Sequence, residues 1–423
     1  MSDGIRRQVQ ICQLNDDVLA QIIEELVQQS TCSLLPLSKT CRLLRTLCKP
    51  FIFSHATCHI GEPVRSRRML IPSFMWPYIR YLTMIDDCPD QTAGAWVYAE
   101  SAMRHLYYAR DPYLCGVLES PKLFSLLRRM PRLTTVSLNL QDYRCVHGVS
   151  WATLKSILAL PQLREFSANL LLSPTQSPSH DDETDFSPLT LLHHERGVSD
   201  IYPPTTTERA NIRYLLTKLC LSLEVLTLPA ELVPVSALSF WNWPRLRELR
   251  VRGARWDSPS TPYTTLFSNM RNLRVLVLEL SLSVEAEPRP ISDPAMKAFP
   301  WADLEHFSVS HPVVHDSVYA HLPRRLRVLT LSCCPHKAEK PALEASDRVY
   351  AYPTRTGSEI LEILQRCRAQ ELLELQIEYH ADESENLLLG FLSSAFPKLQ
   401  SLEIYRYRHP NTGDIAVVSS TCL

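Results

Sequence analysis

Glycine is scarce in this chain, with only ten among 423 residues. The nearest two, Gly94 and Gly116, stand 22 positions apart. That spacing rules out a phosphate-cradling Gly-x-x-x-x-Gly-Lys loop, a Gly-x-Gly-x-x-Gly dinucleotide turn and a Gly-x-Ser-x-Gly nucleophile elbow. Long apolar runs are missing too. The nearest candidate for a membrane span, Leu219 to Trp243, is broken by Glu224, Glu231 and two prolines. The opening Met-Ser-Asp-Gly-Ile-Arg-Arg has no apolar signal core, so no membrane association is expected. A net charge of −1 gives no global footprint for nucleic acid. The 13 cysteines contain no Cys-x-x-Cys, and Cys333-Cys334 has no matching second pair, which argues against a structural metal. Without a secretory signal these cysteines are expected to stay thiols in a reducing compartment, cytoplasmic or nuclear. Histidines and carboxylates are scattered without an acid/base constellation, so neither catalytic residues nor a cofactor are expected.

What the chain does have is a short apolar frame, used again and again. In Pro244-Arg-Leu-Arg-Glu-Leu-Arg-Val251 the residues Leu246, Leu249 and Val251 are spaced i, i+3, i+5, and the last two alternate with Arg250. That alternation is the period of a strand with one buried face. The frame returns at Leu133/Val136/Leu138, Leu163/Phe166/Ala168, Leu223/Leu226/Leu228, Leu273/Leu276/Leu278, Leu304/Phe307/Val309, Leu326/Leu329/Leu331, Leu372/Leu375/Ile377 and Leu399/Leu402/Ile404. A weaker copy is Ile79/Leu82/Met84. From Leu223 to Leu326 its first residues fall 23, 27, 31 and 22 apart. Proline stands two positions ahead of it at Pro77, Pro131, Pro161, Pro244 and Pro397. A strand-plus-helix unit of about 20–29 residues is the period of leucine-rich repeats, and this chain resembles an irregular array of them. Residues 77–410 are thus expected to form an α/β solenoid with short parallel strands along one face.

Residues 12–60 follow another period. Leu14, Val18 and Ile22 are four apart, and Leu19, Ile23 and Leu26 thicken the same stripe. Asn15 or Asp16 is placed to cap this helix. After a break at Gln29-Ser30-Thr31, a second helical stretch carries Leu34, Leu35, Leu37, Cys41, Leu44 and Leu47, and Phe51 and Phe53 close the segment. So much apolar surface on so small a unit is expected either to cap the open end of the array or to dock a partner.

These residues carry a second resemblance. Leu14-Asn-Asp-Asp-Val-Leu-Ala-Gln-Ile-Ile-Glu-Glu-Leu26, followed by Leu35-Pro-Leu-Ser-Lys-Thr-Cys-Arg-Leu-Leu-Arg-Thr-Leu47, resembles an F-box. Asn15 stands where that family usually carries proline, although asparagine is itself a good helix cap. The match covers about a tenth of the chain. An F-box followed by leucine-rich repeats resembles the substrate receptors of Skp–cullin–F-box ubiquitin ligases. The resemblance implies a three-helix F-box that docks a Skp-family adaptor, and through it cullin, while the repeats hold a protein target. On that reading Leu14, Val18, Leu19, Ile22, Leu35, Leu37 and Cys41 face the adaptor. The receptor makes no bond itself; it contributes proximity. A non-degradative leucine-rich-repeat scaffold is the alternative reading, and an enzyme with a convergent site a third.

The remaining segments are expected to be connections. Residues 61–76 read as a basic, solvated linker. Residues 173–204, with three Ser-Pro pairs and Asp181-Asp-Glu-Thr-Asp185, read as a disordered insertion dispensable for folding. His193-His194-Glu195 at its edge reads as a solvated loop. Further insertions are expected at 284–295 and 334–356, a capping box at Thr356-Gly-Ser-Glu359, and a tail without assigned role at 411–423. Within each frame the third, fifth and seventh residues point to the open face, with Thr83, Ser137, Ser167, Thr227, Arg250, Ser308 and Thr330 in the middle column. Glu248, Arg250, Arg252, Arg255 and Trp256 are the candidate target-binding residues, because arginine and tryptophan often carry binding energy. Glu374, Glu378 and Glu403 give the far end of the face the opposite sign.

Overall fold

The structure is a computed structural model that describes residues 11, 14–29, 34–60, 71–86, 121–140, 148–173, 177–178, 185–195, 204–256, 261–283, 286–293, 296, 298–332, 350–351 and 353–407. Its helices are α1 (Asp16–Gln29), α2 (Leu34–Ser38), α3 (Arg42–Ile52), α4 (Pro121–Arg128), α5 (Trp151–Leu158), α6 (Thr206–Leu219), α7 (Val235–Leu238), α8 (Tyr263–Leu266), α9 (Val318–His321), α10 (Gly357–Arg366) and α11 (Glu385–Ala395). The strands are β1 (His55–Ile60), β2 (Tyr81–Asp86), β3 (Thr135–Leu140), β4 (Gly148–Val149), β5 (Glu165–Ala168), β6 (Leu171–Leu172), β7 (Leu191–His194), β8 (Val225–Pro229), β9 (Glu248–Ala254), β10 (Val275–Ser283), β11 (His306–Ser310), β12 (Val328–Ser332), β13 (Tyr350–Ala351), β14 (Arg355–Thr356), β15 (Glu374–His380) and β16 (Ser401–Tyr407).

The class is α/β, built, among the described residues, on a 14-stranded, mostly parallel sheet. From β1 to β12 the strands lie in chain order, each beside its predecessor, with only the short β4–β6 pair set apart; β15 and β16 continue the row. All nine strong frames and the weak copy fall on this sheet in one register, Leu249 opposite both Leu226 and Leu276, for example. The apolar positions of the frame point into a single core that runs from Ala56 to Phe396.

Two features lock each strand to the next. The first is a turn that opens the frame. Leu133 N–H donates to Met130 O at 3.1 Å, Leu163 to Leu160 O at 2.9 Å, and Leu399 to Phe396 O at 3.1 Å. Proline two positions ahead of the frame is therefore the second residue of a β-turn, where its fixed φ is favourable. The same turn adds a fourth apolar position three residues before the frame, occupied by Trp76, Met130, Leu160, Trp243, Met270, Trp301 and Phe396, all buried. The second feature is a carbonyl ladder. Ser54 O accepts from both Arg80 and Tyr81 N–H, Arg80 O from Thr134 and Thr135, and so on through Glu224, Arg247, Arg274, Glu305, Arg327 and Leu373 to Gln400 and Ser401. No side chain is needed for either device, so the register survives wide variation in frame spacing.

Four expectations are corrected. The sheet starts at β1, not at residue 77: Ala56 and Cys58 are buried on the frame Phe53/Ala56/Cys58, and β1 pairs in parallel with β2 over its whole length. The helical unit accordingly ends at Ile52, inside the expected 12–60 boundary. Residues 185–195, placed in a disordered insertion, hold β7, which lies between β5 and β8. Leu189, Leu192 and His194 occupy its frame at 0% exposure, so His194 is core and not part of a solvated loop. In the insertion expected at 284–295, Ile291 and Ser292 are buried, their N–H groups held by the carboxylate of buried Asp316. The end of the expected linker is packed as well: Trp76 is buried and donates through Nε1 to Ile71 O at 3.0 Å. The capping box at Thr356 and Glu359 is present and opens α10. Residues 333–349, the stretch 91–120 and the tail 411–423 lie outside the described residues.

Candidate functional site

Two surfaces answer to the sequence reading, one on the helical unit and one on the sheet. In the helical unit Asn15 Oδ1 accepts from Asp17 N–H at 3.3 Å and caps α1, while Cys41 Sγ accepts from Leu44 N–H at 3.5 Å and caps α3. The three helices contact one another around Ile23, Leu34 and Cys48, a small core separate from that of the sheet. Leu19 is only 1% exposed and belongs to the interior, which corrects its placement in a docking stripe. Its position on α1 is set by the i, i+4 spacing to Ile23, which is also buried. Leu14, Ile22, Leu37 and Cys41 are half-buried. Val18 at 41% and Leu35 at 50% stand in solvent. Leu43, which the sequence reading passed over, is 37% exposed; it sits just outside the apolar spacing that picked out Leu44.

On the sheet the middle column falls in one register, with Thr83, Ser137 and Ser167 successive partners, as are Thr227 and Arg250, and Ser308 and Thr330. Thr227 and Ser308 are buried, however, which corrects their placement on an open face. Between these runs stand His193 and Val277. Around β9 the face is a lattice of ion pairs. Arg250 Nε meets Glu248 Oε1 at 2.5 Å. Arg252 lies between two carboxylates, with Nη1 to Glu195 Oε1 at 3.2 Å and Nε to Glu279 Oε2 at 2.6 Å. His193 Nε2 approaches the same Glu195 oxygen at 3.5 Å. The hydrogen bond from His193 holds the Glu195 carboxyl below its usual range, with the charges of His193 and Arg252 adding to it against burial. Burial pushes Glu279 up despite Arg252 and Arg250, and burial with Arg250 pushes His306 down.

This geometry changes the expected electrostatics. Glu195, Glu248 and Glu279 already offset Arg250 and Arg252, so the centre of the face carries no surplus positive charge for an acidic target. At the far end Glu378 is buried and takes the hydroxyl hydrogen bond of Tyr407 at 2.5 Å, so it does not present charge there. Trp256 turns to the core side: its Nε1 donates to Ala230 O at 2.5 Å and its ring packs edge-on to Tyr263 at 5.8 Å. Trp256 lies beyond the end of β9, whose alternation of half-buried and buried residues runs through Gly253 to Ala254. Arg255 borders a cavity of ≈ 20 Å³ with Tyr263, Arg289 and His311, room for about one water.

Among the described residues, no group of three or more His, Cys, Asp or Glu side chains could hold a metal ion, and no helix is long and apolar enough to cross a membrane. No family model and no curated protein matches this chain.

Proposed function

We propose that this chain is the substrate-recognition subunit of a Skp–cullin–F-box ubiquitin ligase. In this reading α1–α3 are an F-box, and the coils from β1 to β16 are an irregular leucine-rich-repeat solenoid that carries a protein target on its open face. The observation that carries it is the helical unit: three helices close on a core of their own, yet leave Val18 and Leu35 in water. Both lie within the two half-motifs that resemble an F-box. Apolar side chains left exposed on a unit so small are what a docking surface needs. The receptor needs no catalytic group, since its part is to hold the target near the charged conjugating enzyme.

The test is adaptor capture by the full chain. Val18→Asp with Leu35→Asp places charge on exposed positions, so the melting temperature should stay within a few degrees while capture of a Skp-family adaptor falls at least tenfold. Undiminished capture by the double variant sinks the assignment. Leu19→Asp is a poor probe, because burying its carboxylate would unfold the unit whatever the unit binds. Recovery of cullin with the wild-type chain separates a ligase receptor from a non-degradative scaffold.

A further inference from the structure

The turns that open successive frames bring a second row of side chains to the rim of the sheet, beside the N-terminal ends of its strands. Residues on either side of the leading leucine point away from the core, and in several coils they are arginine: Arg245 and Arg247 around Leu246, Arg274 after Leu273, Arg325 and Arg327 around Leu326. All of these are exposed, and so are Arg271 and Arg324 in the turns themselves. Arg245, Arg247 and Arg274 line one groove of ≈ 540 Å³ with Glu224, Pro244, Asn272 and Asp303. The acidic members do not neutralise it. Glu224 reaches Arg247 only at 3.9 Å, Glu305 reaches Arg274 at 3.8 Å, and Asp303 is taken by Arg325 at 2.5 Å. Among the described residues the side chains of Arg245, Arg271, Arg324 and Arg327 make no ion pair or hydrogen bond. A protein of net charge −1 thus carries along one edge a strip with positive charge to spare.

We infer that this rim binds an extended acidic segment of a partner protein, lying across the strands through Glu224–Asp303. Neighbouring rungs of a parallel sheet are about 4.8 Å apart, and same-side residues of an extended peptide about 6.6–7 Å, a mismatch that arginine's long side chain absorbs. Guanidinium groups suit carboxylates because they can donate two parallel hydrogen bonds. Asn272, whose Nδ2 donates to Pro244 O at 2.7 Å, keeps its Oδ1 on the groove wall to receive a peptide N–H. Nucleic acid fits less well. Among the described residues no aromatic ring lines the groove for a base to stack on. The inference does not depend on what the helical unit binds.

Fluorescence anisotropy of the full chain with a labelled ten-residue peptide of alternating Glu and Ser tests it. The wild type should bind this peptide at least tenfold more tightly than its Gln-Ser counterpart, and less tightly as salt rises from about 50 to 300 mM. Arg245→Glu with Arg274→Glu should weaken binding at least tenfold. Arg128→Glu with Arg213→Glu, the same charge change on exposed helix positions, should change it less than threefold. Far-ultraviolet circular dichroism of both variants checks that the fold is kept, and Arg245→Gln with Arg274→Gln supplies a milder substitution if it is not. Equal loss in the rim and helix variants overturns the inference, as does tighter binding of oligothymidylate than of the acidic peptide at equal salt.

Discussion

Single residues decide where the regular pattern of this fold is interrupted, and Gly253 is the clearest case. A Cβ built there would lie 2.5 Å from Glu231 Oε2, and the φ of +124° is one that side chains with a Cβ rarely adopt. The close approach has a purpose, because Glu231 Oε1 accepts the N–H of Ala254 at 2.7 Å and so terminates β9. Gly253→Ala should therefore cost roughly 1–3 kcal/mol from backbone strain alone. Urea denaturation would read this as a lower midpoint at unchanged slope; a shift equivalent to under about half a kcal/mol would mean that the Glu231 loop yields freely. Trp256 could not be placed from sequence because it lies past the end of the strand. Alternation carried Arg250 and Arg252 correctly to the open face, but β9 ends at Ala254, and beyond it the chain turns Trp256 back toward Ala230.

At the scale of elements, the strands whose frames carry large apolar residues were legible in the sequence, and those with a weak frame position were not. β1 was missed because Ala56 and Cys58 are small, and small residues pack well only where the neighbouring coil supplies bulk. β7 was missed because its third frame position is His194, a residue that reads as polar although Nδ1 lies 3.1 Å from Ala168 O within the core. The surrounding Ser-Pro pairs and acidic run then drew Leu189 and Leu192 into an apparent insertion. The structure makes the opposite prediction from the composition. Deleting residues 189–195 would remove two fully buried leucines, each worth about 1.5–3 kcal/mol, and would force β5 to pair directly with β8. Thermal melting followed by near-ultraviolet circular dichroism should show loss of the cooperative transition, whereas a midpoint within a few degrees of wild type would show that β7 is dispensable after all. The fourth apolar position, at Trp76, Met130 or Trp243, was readable in principle, since proline two residues before the frame already marked the turn that carries it.

Across the whole molecule, the candidate sites were legible unevenly. The helical unit announced itself through its four-residue spacing, but spacing cannot sort Leu19, turned inward, from Val18, turned out, because both lie near one stripe. On the sheet the reverse holds: facing was readable from the period of two, whereas charge balance was not, since Glu195, Arg252 and Glu279 meet only when three distant segments become neighbours. The rim arginines were in plain sight beside the frame leucines, and they gain meaning only once the strands stack them side by side.

The carbonyl ladder along that rim has a mechanical consequence. Apart from the short β10–β13 pairing, each strand of the row is fastened to its two neighbours through the same short set of backbone bonds, so tension applied at the two ends of the chain has no single clasp to break. The molecule should pay out like rope from a spool, beginning at an outer turn, with each release freeing the length between adjacent frames. At about 3.4 Å per residue, the stretch between Leu223 and Leu246 would yield a far shorter step than that between Ile79 and Leu133. An optical-trap trace showing a staircase of unequal rises would bear this out; one abrupt rip spanning the whole sheet would show that the coils are coupled well beyond their nearest neighbours.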